Sequence, residues 1–412
     1  MLKALSPRTL WWLLVGLTMG WYGSFVVSPE LFFCIGVNHL GVWFLDTFAI
    51  LASNDAVSLG RDPYAVNLLD YLNRPHVYSH WWLHLRDLGF TRIHSIAIGA
   101  ALGVAFLTTA LAWLRPRAPG ELLWYGVVLF SSPVVLAVDR GNNDLVVFIL
   151  LAAVVPCLMS RERWVRFLAA VPIALAAGLK FYPAIAGLVL LATPGGRERR
   201  GRILLAVGLL VLVGWDVGPD LARFGKFVPR AEGLMTFGAI NLLEPAGLVG
   251  WRALATGLVL AALAVGLFLR TRIFDGWVLT PELRSAWLSF ILGAALLAGC
   301  FFTGTNYAYR WVFAILMAPL LWRLPRDPTA PSGVRRLAAL TAGLLVFVLW
   351  VDALASAVLA RFLGRMPGDV LVGWADRFFL IEQPIVWGFF ICLLGFLGHF
   401  AREGIRGLVE RE

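Results

Sequence analysis

WVRFLAAVPIALAAGLKFYPAIAGLVLLAT, residues 164–193, decides how the chain is threaded. Read as one helix, it would put the basic cluster RERWVR (161–166) and the basic cluster GGRERRGR (195–202) on opposite sides of a membrane. Positive charge collects on the cytoplasmic side, so that threading is disfavoured. Lys180 and Pro183 interrupt the stretch near its middle. Two short antiparallel helices meeting there keep both basic clusters inside and place Lys180 at an outer turn. The first piece would be about 24 Å long at ~1.5 Å per residue, short of a ~30 Å hydrocarbon core. The turn should then lie below the outer surface, where a lysine is costly unless something anionic meets it.

The rest of the chain reads the same way. Of its 412 residues 60% are hydrophobic and only 15% charged, outside the range of soluble globular chains. The expected architecture is an all-α integral membrane protein with about twelve transmembrane helices. Candidate spans fall near 9–28, 93–114, 121–138, 143–159, 164–179, 181–193, 203–215, 246–269, 285–302, 309–323, 337–359 and 384–399. Residues 1–412 are read as a single polytopic membrane domain with no soluble domain attached. The first apolar run follows the basic start MLKALSPR but lacks a small-residue cleavage site, so it is kept as a span rather than a signal peptide.

With Met1 placed in the cytoplasm, Lys and Arg concentrate in alternate, inner loops, and both termini come out cytoplasmic. The net charge of +10 is therefore a topology signal and not a nucleic-acid footprint. The longest connection, 28–92, becomes the first extracytoplasmic loop. It carries RDPYAVNLLDYL and HVYSHWWLHL, expected to be partly helical and to lie at the interface. Loops of this length are more often functional than idle. The turns DRGNND (139–144) and GTNYAYR (304–310) fall on the same outer side.

Several outer residues carry chemistry. Asp46, in GVWFLDTFAILA, is an acid between apolar neighbours, as suits a general base in a partly dry site. It equally suits a helix cap or an arginine partner, and Asp55 in SNDAV is the second choice. Lys180 could neutralise a phosphate at the membrane boundary, or simply snorkel. Asp139, Arg140, Gly141, Asn142, Asn143 and Asp144 hold more polar groups than a capped turn needs. Arg140 is expected to face a phosphate, Asn142 and Asn143 to shape the turn or touch a sugar, and Asp144 to hold Arg140 or the helix start. His76, His80 and His84 would share one helical face. That spacing can hold a metal, but Trp81 and Trp82 favour an interfacial belt, with the histidines lining an acceptor groove. Asn306, Tyr307, Tyr309 and Arg310 form a further outer cluster. Cys34, Cys157, Cys300 and Cys392 are scattered and support neither a zinc site nor a disulfide framework.

Three of these segments, in order and on one side, resemble the polyprenol-phosphate-sugar-dependent glycosyltransferases of the GT-C class, most closely glycosyltransferase family 87. They are Asp46 followed by GRDPY (60–64), then DRGNND, then KFYP (180–183). The resemblance implies a GT-C-like fold and inverting transfer of a hexose, with mannose the family-weighted choice. The donor would be a polyprenyl-phosphate-linked sugar, and the acceptor a lipid, glycan or protein hydroxyl on the non-cytoplasmic face of the cell membrane. By position, Asp46 would be the base; Lys180 and Arg140, with Arg310 as a further cation, would face the donor phosphate. Asp139, Asn142, Asn143, Asp144, Tyr64, His76, His80, Asn306 and Tyr307 would contact substrate. No cofactor is implied, although spare outer carboxylates leave room for a divalent ion. No nucleotide-binding loop stands in a soluble domain, which agrees with a lipid-linked donor. The competing class is a transporter or lipid-linked-sugar flippase. Against it, the ionisable groups cluster on one side instead of at the midplane, and the halves show no repeat.

Overall fold

A computed structural model describes residues 5–192, 196–224, 231, 235–363 and 371–409. The cytoplasmic placement of the two termini thus concerns residues, 1–4 and 410–412, outside the described ones. The described chain is almost wholly helical, with one two-stranded antiparallel pairing, Thr236 opposite Tyr307 and Phe237 opposite Asn306.

Among the described residues seven helices are long and apolar enough to cross a membrane: Pro7–Val27, Arg92–Trp113, Arg197–Arg223, Trp251–Arg270, Pro281–Thr303, Ser332–Ala355 and Glu382–Ile405. An eighth span results if Pro119–Leu129 and Ser132–Arg140, bent by 52° at their junction, are taken together. By length and composition, the described residues thus supply seven or eight of the about twelve expected spans. The expected spans 143–159, 164–179, 181–193 and 309–323 take other forms. Asp144–Ala152 and Val154–Met159 are short helices, and Ala308–Phe313 is a 3₁₀ turn leading into the ten-residue helix Ala314–Arg323. Parts of these runs are enclosed by protein: Val147, Phe148, Leu151, Ile315, Leu316 and Met317 are fully buried. Hydropathy reports burial in protein and burial in lipid alike, so short apolar runs cannot be told apart by it.

The stretch 164–193 breaks where its charges required. Helix Ala170–Lys180 ends at Phe181, whose left-handed backbone (φ 59°) stops it, and Tyr182–Ala192 continues as a 3₁₀ helix. Helices facing outward keep apolar surfaces: only 11% of the span in Trp251–Arg270 is buried in protein, against 89% in Pro281–Thr303. In water such a surface would cost about 25 cal/mol per Å², so it belongs against hydrocarbon.

The chain divides into two compact, discontinuous units. One comprises Met1–His39, Ala110–Leu136 and Ala231–Glu412; the other comprises Leu40–Thr109 and Ala137–Arg230. The first is built around Pro281–Thr303 and a buried aromatic cluster in which Phe301 and Phe390 stack at 3.9 Å. The second contains most of the loop 28–92. Within that loop, Leu45–Ser58 is helical and largely buried instead of lying on a surface. RDPYAVNLLDYL, expected to be partly helical, is a series of turns. Asp62, Asn67 and Asp70 each accept a backbone N–H two residues ahead, at 2.9, 3.0 and 3.1 Å, offering the backbone an alternative to helix.

Candidate active site

Helix Leu45–Ser58 starts abruptly. Phe44 is left-handed (φ 57°) and its N–H donates to Asp139 O at 2.8 Å, while the Thr47 hydroxyl donates to Gly141 O at 2.7 Å. The turn 139–141 is therefore fastened to the first turn of the helix that carries Asp46. Gly141 permits this. Its φ is +54°, and a Cβ there would lie 2.5 Å from Thr47 Oγ1 and 3.0 Å from Phe44 Cβ.

The fastening brings Asp46 to Asn142. Asn142 Nδ2 donates to Asp46 Oδ2 at 2.7 Å, and Asn142 Oδ1 accepts both Asp144 N at 2.9 Å and Lys180 Nζ at 3.3 Å. Lys180 Nζ also donates to Asp144 Oδ1 at 2.5 Å, an oxygen that Tyr182 Oη reaches at 2.7 Å. Asp46, Asn142, Asp144 and Lys180 are all buried. The Asn142 amide thus bridges the Asp46 carboxylate and the buried Lys180 ammonium, whose second partner is the Asp144 carboxylate, and this pairing offsets the cost of removing each charge from water. The Tyr78 ring adds its face 5.7 Å from Lys180 Nζ.

Lys180 is delivered by the end of helix Ala170–Lys180, and the loop's two tryptophans hold that end. Trp82 Nε1 donates to Leu179 O at 3.2 Å, and the Trp81 ring lies so close to Gly178 that a Cβ there would fall 2.1 Å from it. Trp81 and Trp82, expected in an interfacial belt, are packing and hydrogen-bonding anchors of this helix.

The second oxygen of Asp46 belongs to a residue the sequence did not single out. Arg74 Nη1 donates to Asp46 Oδ1 at 3.1 Å, and Nη2 donates to Leu45 O at 3.0 Å. Nε and Nη2 hold the two oxygens of Asp70 at 2.9 and 3.0 Å. Burial by itself would lower the Arg74 pKa, but the Asp70 hydrogen bond and the charges of Asp46 and Asp70 raise it above the ordinary arginine value. The only signal for Arg74 in the sequence was its place in a long loop rich in turn-forming residues.

Asp144, expected to hold Arg140 or the helix start, pairs with Lys180. Arg140 makes no ion pair among the described residues, and its Nε and Nη1 are buried without a hydrogen-bond partner. The Asn143 side chain is likewise buried and unbonded, and Asp139, next to Arg140 in sequence, is buried.

Tyr64, His76 and His80 lie in the same unit, with the His76 ring 5.6 Å from Tyr64 and 5.7 Å from Tyr78. His80 Nδ1 lies 2.7 Å from Asp220 Oδ2 and Tyr64 Oη donates to Asp220 Oδ1 at 3.2 Å. Burial, followed by the Asp220 charge and hydrogen bond, raises the Tyr64 pKa. His76 lies outside the 3₁₀ helix His80–Leu88, so the three histidines do not share a helical face; burial lowers its pKa to about 4. His84 pairs with Asp87 instead. Asp55 is engaged by Arg92, with its Oδ2 3.5 Å from Arg92 Nε, at the far end of the helix from Asp46. Among the described residues no group of three or more His, Cys, Asp or Glu is arranged to hold a metal ion.

Asn306, Tyr307 and Arg310 belong to the other unit. Asn306 spends its amide donors on Cys300 O at 2.7 Å and Gly304 O at 3.0 Å, fastening its own turn, and Tyr307 stacks on Tyr309.

With this geometry in place, the family model described as glycosyltransferase family 87 matches residues 83–250, so the resemblance read from the motifs holds over the stretch bearing the turn 139–144 and Lys180. Asp46 and Arg74 lie outside the matched residues. A curated relative from Mycolicibacterium smegmatis (strain ATCC 700084 / mc(2)155), a polyprenol-phosphate-mannose-dependent alpha-(1-2)-phosphatidylinositol pentamannoside mannosyltransferase, is 34% identical over 111 residues, 26% of each chain. The matched stretch thus spans about a quarter of that relative's length. No solved structure matches.

Proposed function

We propose that this protein is a membrane glycosyltransferase that moves a hexose, mannose in the first instance, from a polyprenyl-phosphate-linked donor to an acceptor hydroxyl, with inversion, on the non-cytoplasmic face. The carrying observation is the pairing of Asp46 and Lys180 on the two ends of the Asn142 amide. One end is a carboxylate able to take a hydroxyl proton; the other is a fixed cation. The family-87 match and the polyprenol-phosphate-mannose dependence of the relative support the donor class.

In this reading Asp46 accepts the acceptor's proton as the acceptor oxygen attacks the anomeric carbon, and the bond from that carbon to the phosphate oxygen breaks. Polyprenyl phosphate leaves carrying the added charge, which fixed cations stabilise without reorganising. Arg140 is the less committed cation for that task. Lys180 already has Asp144 as counter-ion, whereas Arg140 keeps buried donors without a partner among the described residues. Lys180 then orients Asn142 and adds field at the phosphate. Arg74 sets the rotamer of Asp46.

The test supplies the purified, reconstituted protein with a polyprenyl-phosphate mannose and membrane acceptors and follows glycosidic bond formation. Wild type should form product and Asp46→Asn should not. Full activity in a folded Asp46→Asn protein removes Asp46 as the base. A flippase would move the donor lipid across the bilayer and form no new glycosidic bond, which the same assay distinguishes.

A further inference from the structure

The first unit contains an open cavity of about 490 Å³, lined by Pro7, Arg8, Trp11, Arg115, Pro116 and Arg117. Three arginines line it from two places in the chain. Arg8 comes from the first turn of helix Pro7–Val27, and Arg115 and Arg117 come from the connection after Trp113. Among the described residues none of the three is in an ion pair. The nearest acid in sequence, Glu121, is committed: its Oε1 accepts from Arg323 Nη2 at 3.0 Å and from Tyr125 Oη, and its Oε2 accepts the Arg117 backbone N–H at 2.7 Å.

The frame of the cavity is fixed while its charges are not consumed. Trp11 Nε1 donates to Leu111 O at 2.8 Å, which ties the start of the first helix to the end of the span before the cavity. Arg115 Nε donates to Ala112 O at 3.2 Å and leaves the rest of its guanidinium available. Pro7 and Pro116 restrict the backbone on both sides. Three unpaired cations held around one cavity repel one another, and an anion relieves that repulsion.

Position selects the anion. The cavity sits at the ends of two helices long and apolar enough to cross a membrane, Pro7–Val27 and Arg92–Trp113, with tryptophan alongside, and the ends of such helices are where headgroups lie. From it the outer surface of helix Pro7–Val27 continues as Trp12, Leu13 and Leu17, at 56, 43 and 53% exposure, an apolar track along which acyl chains can lie. We infer that Arg8, Arg115, Arg117 and Trp11 form a binding site for the phosphate headgroup of an anionic membrane phospholipid, separate from the glycosyl-transfer site.

The experiment measures lipid retained by the full chain in detergent, by native mass spectrometry, as phosphatidylglycerol or phosphatidylcholine is added. Phosphatidylglycerol should bind in preference. Each arginine near the surface contributes about 1 kcal/mol, about fivefold in affinity, so Arg115→Gln with Arg117→Gln should weaken phosphatidylglycerol binding about 25-fold. Phosphatidylcholine binding should not change, and Arg115→Lys with Arg117→Lys should keep most of the preference. Arg8→Gln, an exposed single change, gives the same reading at about fivefold should the double variant fail to fold. Equal retention of the two lipids, a preference that survives the glutamine substitutions, or displacement of the lipid by an equal concentration of inorganic phosphate would each overturn the assignment.

Discussion

Arg74 Nη1 stands 3.1 Å from Asp46 Oδ1, while the same guanidinium grips both oxygens of Asp70. The fork geometry is what lets one side chain serve two carboxylates and a carbonyl, and an ammonium cannot reproduce it. Arg74→Lys is therefore expected to lower kcat by about 10- to 100-fold with a smaller change in donor KM, as for a positioning residue. Arg74→Ala should also lower the melting temperature, because it leaves Asp70 and Asp46 short of their cation. A kinetic comparison of the two variants, with melting curves, checks both statements.

Asp46→Asn keeps the size of the side chain and should leave the fold standing. Loss of a general base costs about 10²- to 10⁴-fold, and transfer from a polyprenyl-phosphate sugar should fall in that range while donor binding persists. Binding and turnover measured on one preparation separate the two.

Removing the Arg140 charge should hurt donor use and help the fold. Unbonded buried donors cost about 1–3 kcal/mol, so Arg140→Met is expected to unfold at an equal or higher temperature than wild type. Its donor KM should rise at least tenfold. A variant that is both less stable and normal in donor KM would assign Arg140 to structure alone.

Gly141→Ala places a Cβ against Thr47 and Phe44 at a left-handed position. The backbone cost and the clash together amount to about 2–3 kcal/mol. The melting temperature should drop, and activity should drop further than stability does, because the turn sets Asn142 under Asp46.

Acid should loosen the loop at His76. Its folded pKa of about 4 lies below the ~6.5 of an unfolded histidine, so the unfolded state binds the proton more readily. The stability this group contributes is complete above about pH 6.5 and is lost as pH falls towards 4, by up to about 3 kcal/mol. Denaturation of wild type should steepen over that window, and His76→Gln should flatten it.

The sequence made some of this site visible and concealed the rest, for physical reasons. Asp46 and Lys180 stood out because an ionisable group among apolar neighbours demands a partner, and Gly141 because a polar turn between apolar runs needs one. Arg74 and Asp220 could not be found that way. Their roles come from pairings with Asp46 and His80 across 28 and 140 residues, which no local pattern in the sequence displays. The short helices at 144–159 and 314–323 were not legible as such, because Phe148 and Met317 are as apolar as lipid-facing residues yet are enclosed by protein. The break at Lys180, by contrast, was legible, since charge sidedness constrains a thread even where hydropathy does not.

Asn142 leaves one last consequence. An amide that donates from its nitrogen to a carboxylate and accepts at its oxygen from an ammonium is polarised by both, each strengthening the other's hydrogen bond. When Asp46 takes up a proton, its pull on that nitrogen falls, and the hold of the oxygen on Lys180 slackens in the same instant. The two ends of the site are thus electrically in series through a single side chain, and neither can be retuned without the other registering it.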